Sequence, residues 1–240
     1  MKTIIVVPCY NESQRLHQDE FLDYVNKHDD TAFLFANDGS RDNTLEMLME
    51  LAAKHERLLY LDIQPNGGKA EAVRKGMLDA VKSYHPDFVA FWDADLATPL
   101  DEIEPMISWM AKGYDIVMGL RLMRLGAEVH RKSMRHYLGR CFATVASMML
   151  KLPVYDTQCG SKMFRATVVE ELFEESFITR WLFDVELLAR YKKRFGIENA
   201  TRKIYEYPLY KWEDVDGSQL KSRDFFKAPL ELMKIRRKYK

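Results

Sequence analysis

Five short apolar runs, each followed by a cluster of polar or glycine-rich residues, constrain this chain more than any other feature of it. They lie at residues 3–7, 32–36, 58–63, 88–92 and 115–118. Most are apolar throughout rather than at every second position, the pattern of strands covered on both faces. Helix-like segments separate the first four: one holding Leu16 and Val25, one holding Leu45, Leu48, Met49 and Ala52, and one over residues 70–81. Such strand–helix–strand repetition predicts an α/β fold with a mostly parallel central sheet flanked by helices. In such sheets ligands bind beyond the carboxyl ends of the strands.

The tails of the five runs are rich in chemistry. They read Pro8-Cys9-Tyr10-Asn11-Glu12, Asn37-Asp38-Gly39-Ser40, Gln64-Pro65-Asn66-Gly67-Gly68-Lys69, Asp93-Ala94-Asp95 and Gly119-Leu120-Arg121. Converging on one sheet edge, they predict a nucleotide-sized site. Asp93 and Asp95 are two acids two apart at a strand end. They can hold a hard divalent cation, Mg²⁺ or Mn²⁺, that neutralises a diphosphate; equally, they can form the turn before a helix starting near Thr98-Pro99. A haloacid-dehalogenase-type phosphatase would want threonine at the place held by Ala97. Asp38 and Gly39 form a turn, or offer a carboxylate to the N–H of a uracil or guanine. Tyr10 offers a stacking face and Glu12 a partner for ribose hydroxyls. Gly67, Gly68 and Lys69 would let backbone approach an anion with a point charge beside it.

After Arg121 the pattern changes. Met134, Leu138, Cys141, Phe142, Val145 and Met149 recur at helical spacing. A turn over residues 153–160 leads to a short strand, then a helix over 183–195, a strand over 204–209 and a basic C-terminal helix. One domain over residues 1–240 is expected, with a nucleotide-binding half (1–121) and an acceptor and membrane-surface half (122–240). A length of 240 residues suits that size. The net charge of zero argues against nucleic acid as a partner. Three cysteines without metal-ligand spacing point to a reducing compartment. The apolar start is too short for a secretory leader. The longest stretch free of charged residues, 141–150, falls well below the roughly 20 residues that span a bilayer.

In order, the P-x-Y-N-E opening, the D-G-S tip, the N-G-G-K loop and the D-A-D triplet resemble the family-2 glycosyltransferases, which implies a GT-A type nucleotide-binding fold. Residues 156–164 and 181–188, with the stretch 212–220, resemble the dolichyl-phosphate β-glucosyltransferase branch, a sibling of dolichyl-phosphate mannose synthase. The resemblance then covers nearly the whole chain. It departs at Asn37, where the family commonly has an aspartate; an amide there keeps a hydrogen bond and loses a charge.

The resemblance implies an inverting, metal-dependent transfer of a hexose, glucose from UDP-glucose by closest similarity, onto a polyprenyl or dolichyl phosphate at the cytoplasmic membrane face. Pro8, Tyr10, Asn11, Glu12, Asp38, Gly39, Lys69 and Asp93 would bind the donor, with Asp93 and Asp95 on the metal. Because a phosphate acceptor is already anionic, no strong base is required. What is required is cationic steering, with Arg121 first and then Arg131 and Arg135, which share a helical stripe with Leu138 and Phe142. Asp156, Asp184 and Glu186 would orient those arginines or the sugar hydroxyls, or else serve as caps and buried ion pairs. Residues 221–240 hold eight Lys or Arg against two acids, interleaved with Phe225, Phe226, Leu230, Met233 and Ile235. This is the composition of an amphipathic interfacial helix on anionic lipid, in a protein peripheral to the membrane. Mannose from GDP-mannose, a soluble or surface glycan acceptor, and a catalytically silent nucleotide-binding module are the competing readings. Intact Asp93, Asp95 and Lys69 count against the last.

Overall fold

The computed structural model describes residues 1–130, 133–215 and 222–240, with side chains within 133–226 described for Tyr137 and for residues 139–215. The five apolar runs are the strands β1 (Thr3–Cys9), β2 (Thr31–Asp38), β3 (Leu58–Ile63), β4 (Phe88–Trp92) and β5 (Ile116–Leu120). Between them lie α1 (Gln18–Lys27), α2 (Thr44–Lys54), α3 (Lys69–Tyr84) and α4 (Ile103–Met110). Leu16 precedes α1, although it shares its apolar periodicity. In α2 the core takes Met47, Leu48 and Leu51, leaving Met49 exposed.

The second half adds β6 (Glu128–His130), α5 (Ser133–Leu150), β7 (Ser161–Arg165), α6 (Ala166–Phe173), α7 (Phe183–Phe195), α8 (Ile197–Lys203), β8 (Ile204–Pro208), β9 (Lys211–Glu213) and α9 (Ser222–Lys238). The seven-stranded sheet runs β3-β2-β1-β4-β7-β5-β8, and β6 pairs with β9 in a separate ribbon. All neighbours in the main sheet are parallel except β7, which inserts antiparallel between β4 and β5. That insertion brings residues 156–160, just before β7, to the carboxyl end of β4.

The continuous apolar runs are explained by two cores, one on each face of the sheet. Ile4, Val6, Leu34 and Phe91 pack beneath α3, α6 and α7. Ile5, Val7, Phe33 and Phe35 pack beneath α1, α2 and α4. Because side chains alternate across a strand, both sets of alternate positions must be apolar. Gly76 lets α3 lie close to β1, since a Cβ there would collide with the Val6 side chain. The regular 2.0 and 3.6 periodicities thereby place five strand ends along one edge, where the site forms.

In α5 the apolar stripe divides. Phe142 and Met149 pack against the core alongside buried Ala143, Ala146 and Leu150, whereas Cys141 and Val145 are exposed together with Tyr137 and Met148. Among the described residues no helix is long and apolar enough to cross a membrane.

Candidate active site

The strand ends surround a cavity of about 870 Å³. Its walls take Pro8, Tyr10 and Glu12 from the end of β1, Asp38 from β2, Lys69 from the start of α3, Asp93 and Asp95 from beyond β4, and Arg121 from beyond β5. The second half contributes Asp156 to Gln158, Thr179 to Trp181, Asp184 and Trp212, and α9 adds Lys227 and Glu231. The convergence anticipated from the sequence is therefore present, with two predicted members set back from the wall. Asn11 ties the first two tips together: its N–H donates to Ser40 Oγ (3.0 Å) and its Oδ1 accepts from Arg41 N (2.9 Å). Gly39 holds a left-handed φ of 60°, and a Cβ there would stand 2.8 Å from Asn66 N.

The Asp38 carboxylate is buried and occupied. It accepts from Gly67 N (2.8 Å), Gly68 N (2.7 Å) and Asn66 Nδ2 (2.9 Å). These bonds strap the glycine loop across the end of β2 and present Lys69 at the first turn of α3. Asn37 lies beneath, fully buried, its amide donating to Asp62 Oδ1 at 2.6 Å and accepting from Ser40 N at 3.4 Å. An aspartate at position 37 would face Asp62 without that donor, so the amide suits this local surrounding. Both residues of the second tip thus fix the loop that carries the lysine.

Lys69 pairs with Asp93. Desolvation disfavours the ammonium, but Asp93, with Asp184 and Asp95 beyond it, outweighs that and raises its pKa. Gly160 backs Asp93: a Cβ at Gly160 would overlap the carboxylate. Burial first, and then the Asp93 charge, raise the pKa of Asp95, against the Ala97 N–H at 3.1 Å, which favours the anion. Glu12 is raised too, by burial and by Asp95, with Arg15 acting against. Acids crowded this way favour an added cation, although Asp93 is already paired with Lys69 and Glu12 Oε2 lies 3.8 Å from Arg15 Nε. Among the described residues no group of three or more His, Cys, Asp or Glu is arranged as a metal cage. The carboxylate oxygens of Asp93 and Asp95 nevertheless fit a hard cation that takes its remaining ligands from phosphate and water.

Arg121, in the same cavity wall, is clamped. Its Nε donates to Asp156 Oδ2 at 2.7 Å and its Nη2 to Asp156 Oδ1 at 2.8 Å. The Trp212 ring lies 5.3 Å from its Cζ. Burial disfavours the guanidinium, and the Asp156 carboxylate overcomes this and raises its pKa further. Asp156 is itself positioned by Glu206, which accepts its backbone N–H at 2.7 Å. Asp184 is reached by buried Lys162 (Nζ to Oδ1, 2.6 Å) and by Gln158 (Nε2 to Oδ2, 3.3 Å). Its pKa is raised by burial, against the pull of Lys162. Glu186 lies away from the cavity. It is fully buried, accepting from Arg190 Nη2 and Tyr239 Oη, each at 2.8 Å, and from Ile178 N at 2.8 Å. Its part here is the buried ion pair rather than the oriented sugar. Arg131 and the side chain of Arg135 lie outside the described residues, as do the side chains of Phe225 and Phe226 and residues 216–220 of the stretch 212–220.

Sequence reading did not single out Lys162, Gln158, Arg180 or Trp212. For Lys162 a signal existed: a lysine inside a short strand flanked by apolar residues needs a buried partner if that strand is central. Arg180, just before the stretch 181–188, lines the cavity with its Cδ 3.9 Å from a Cβ built on Gly68. Trp212 became a wall residue only through the β6–β9 ribbon.

This fold and these strand-end motifs define a glycosyltransferase: the chain belongs to glycosyl transferase family 2, whose model matches residues 4–173. It is 32% identical to the dolichyl-phosphate beta-glucosyltransferase ALG5C of Trichomonas vaginalis, over 97% of this chain and 70% of that protein. The dolichyl-phosphate beta-glucosyltransferase of Drosophila melanogaster is 31% identical, over 90% of this chain and 68% of its own length. Among solved structures, glucosyl-3-phosphoglycerate synthase from Mycobacterium tuberculosis, in complex with Mn²⁺, UDP and glucosyl-3-phosphoglycerate, superposes with a TM-score of 0.68. It covers 99% of this chain and 79% of that one at 16% identity, which identifies the GT-A type fold.

The close approach of Gly160 to Asp93 is testable by itself. Gly160→Ala is expected to cost about 1–3 kcal/mol through overpacking, read by urea denaturation. Combined with Asp93→Ala, the loss should fall short of the sum of the single losses by at least about 0.5 kcal/mol. Strict additivity would mean that the two residues do not share this contact.

Proposed function

We propose that the chain transfers glucose from UDP-glucose to dolichyl phosphate or a related polyprenyl phosphate, with inversion. The observation that carries this is the grouping of charge in one cavity: a lysine loop, a carboxylate pair and a clamped arginine all line it. Such an arrangement suits two phosphorylated reactants brought into line, and it agrees with the names of the relatives. In this reading the charges of Lys69 and Arg180 receive the donor diphosphate, and Tyr10 and Glu12 receive the nucleoside. A divalent cation, Mg²⁺ or Mn²⁺, bound at Asp93 and Asp95 would supply counter-charge to the leaving diphosphate.

Arg121 holds the acceptor phosphate so that its oxygen faces C1 of the sugar. That oxygen forms the new C1–O bond as the bond from C1 to the diphosphate breaks, leaving the electron pair on UDP. The product is a β-linked glucosyl phosphate. The attacking oxygen is already anionic, so the chain needs no general base. Its contribution is orientation and electrostatic stabilisation, with Asp156 and Trp212 holding the arginine and Lys162 holding Asp184 toward the sugar.

A membrane surface supplies such an acceptor. We propose peripheral attachment on the cytoplasmic face through α5 and α9. Tyr137, Val145 and Met148 are exposed on α5, as are Leu230 and Met233 among the basic residues of α9, and the two helices pack together.

The direct test offers UDP-glucose, UDP-galactose and GDP-mannose with a short polyprenyl phosphate or a soluble sugar, reading products by mass. Glucosyl phosphate lipid from UDP-glucose is the expected product; transfer only to the soluble sugar would overturn the acceptor. Arg121→Lys keeps the charge and loses the fork. It should lower kcat/KM for the acceptor by about tenfold or more, with UDP affinity by calorimetry nearly unchanged. An equal loss of UDP affinity would move Arg121 to the donor side. In vesicle co-sedimentation the protein should bind anionic vesicles more than neutral ones and should dissociate as salt rises. Binding to neither would contradict attachment through these helices.

A further inference from the structure

Two buried hydroxyls in the cavity wall have no partner among the described residues. Thr157 is 1% exposed and Thr179 is 4% exposed, both line the cavity, and the Oγ1 of each is buried without a hydrogen bond. A buried hydroxyl left unpaired costs about 1–3 kcal/mol, and nearly all such groups in folded proteins are paired. Thr98, in the same wall, shows the ordinary solution, lying 3.5 Å from Ser161 Oγ. Thr3 and Thr31 also carry unpaired hydroxyls, but at the opposite end of β1 and β2. Position therefore distinguishes the pair in the cavity.

Each of the two adjoins charged residues of the same wall. Thr157 follows Asp156, which clamps Arg121, and precedes Gln158, which donates to Asp184. Thr179 precedes Arg180, which reaches the Gly68 loop, and follows Ile178, whose N–H is fixed on Glu186 at 2.8 Å. Both segments are thus tied down by their neighbours. Asp184 stands in the same wall, its orientation set by Lys162. A threonine hydroxyl both donates and accepts, and a rotation about χ1 exchanges it with the methyl group on the same Cβ. A hexosyl group passing from a diphosphate to an incoming phosphate in this cavity would present its own hydroxyls to this wall.

We propose that Thr157 and Thr179 read the hydroxyl groups of the transferred hexose, with Asp184 as the third, fixed partner. The assignment rests on the reading of the cavity as a hexosyltransferase site and adds the residues that choose the sugar. A hydroxyl-bearing pyranose is the matching ligand class.

The test replaces each threonine with valine, which keeps the shape and removes the hydroxyl, and with serine, which keeps the hydroxyl. Thr157→Val and Thr179→Val should each lower kcat/KM for UDP-glucose about three- to tenfold, with UDP affinity by calorimetry within twofold of the unaltered protein. The serine variants should retain activity. A deoxyglucose donor lacking the hydroxyl read by one threonine should be used equally well by the unaltered protein and by that valine variant. The melting temperatures of the valine variants should hold or rise, because an unpaired hydroxyl has been removed, so a loss of turnover would not be a loss of fold. Valine variants that use UDP-glucose and every deoxy donor as the unaltered protein does would overturn this assignment alone. Equal losses of UDP affinity and turnover would overturn it too. An unaltered protein that transfers no hexose from any nucleotide sugar would overturn the transferase reading, and this assignment with it.

Discussion

The contact on which the rest of the site depends is that of Asp93 with Lys69, made over Gly160. It joins the glycine loop of the first half to the turn that enters β7. It exists because β7 runs antiparallel between β4 and β5, delivering Gly160 to the end of β4. A side chain at residue 160 would displace the carboxylate, and with it the lysine. Asp38 supports the contact from the other side by strapping the loop from which Lys69 emerges.

Desolvated charge then orders the remainder of the cavity. Arg121, Lys162 and Arg190 are each held by a carboxylate: Asp156, Asp184 and Glu186 in turn. A buried charge is tolerated only when it is paired and hydrogen-bonded, so each pair has one geometry. Two of these pairs contribute side chains to the cavity wall: Arg121 with Asp156, and Asp184. The third fastens α7 to the chain end through Tyr239. Asp95 is the counter-example. Its pKa is raised by burial and by Asp93, so its charge is disfavoured where it stands.

Much of this was legible in the sequence for a simple reason. Buried parallel strands demand uninterrupted apolar residues, so the runs at 3–7 and 88–92 stood out, and polar tips after them could only be exposed strand ends. Asp93, Asp95, Lys69 and Arg121 were therefore placed correctly on one edge. Asp38 was read as a group facing the nucleoside, yet its oxygens are spent on Gly67 and Gly68; a carboxylate beside a turn looks the same in sequence whether it faces a ligand or a backbone N–H. The wall from Thr157 to Trp212 was harder to see, because it depends on β7 inserting between two strands and on a three-residue pairing of β6 with β9. Such short strands carry no periodicity. In α5 the described apolar residues occupy two faces, one against the core and one exposed.

The central proposal, that the cavity binds a diphosphate through a cation on Asp93 and Asp95, is tested most directly by calorimetric titration of UDP with and without Mn²⁺. UDP affinity should fall at least about tenfold when EDTA removes the metal, the scale expected when a diphosphate loses its principal counter-charge. Asp95→Asn should bind UDP equally weakly in both conditions. Undiminished UDP affinity in EDTA, with Asp95→Asn behaving as the unaltered protein does, would contradict the metal-assisted site.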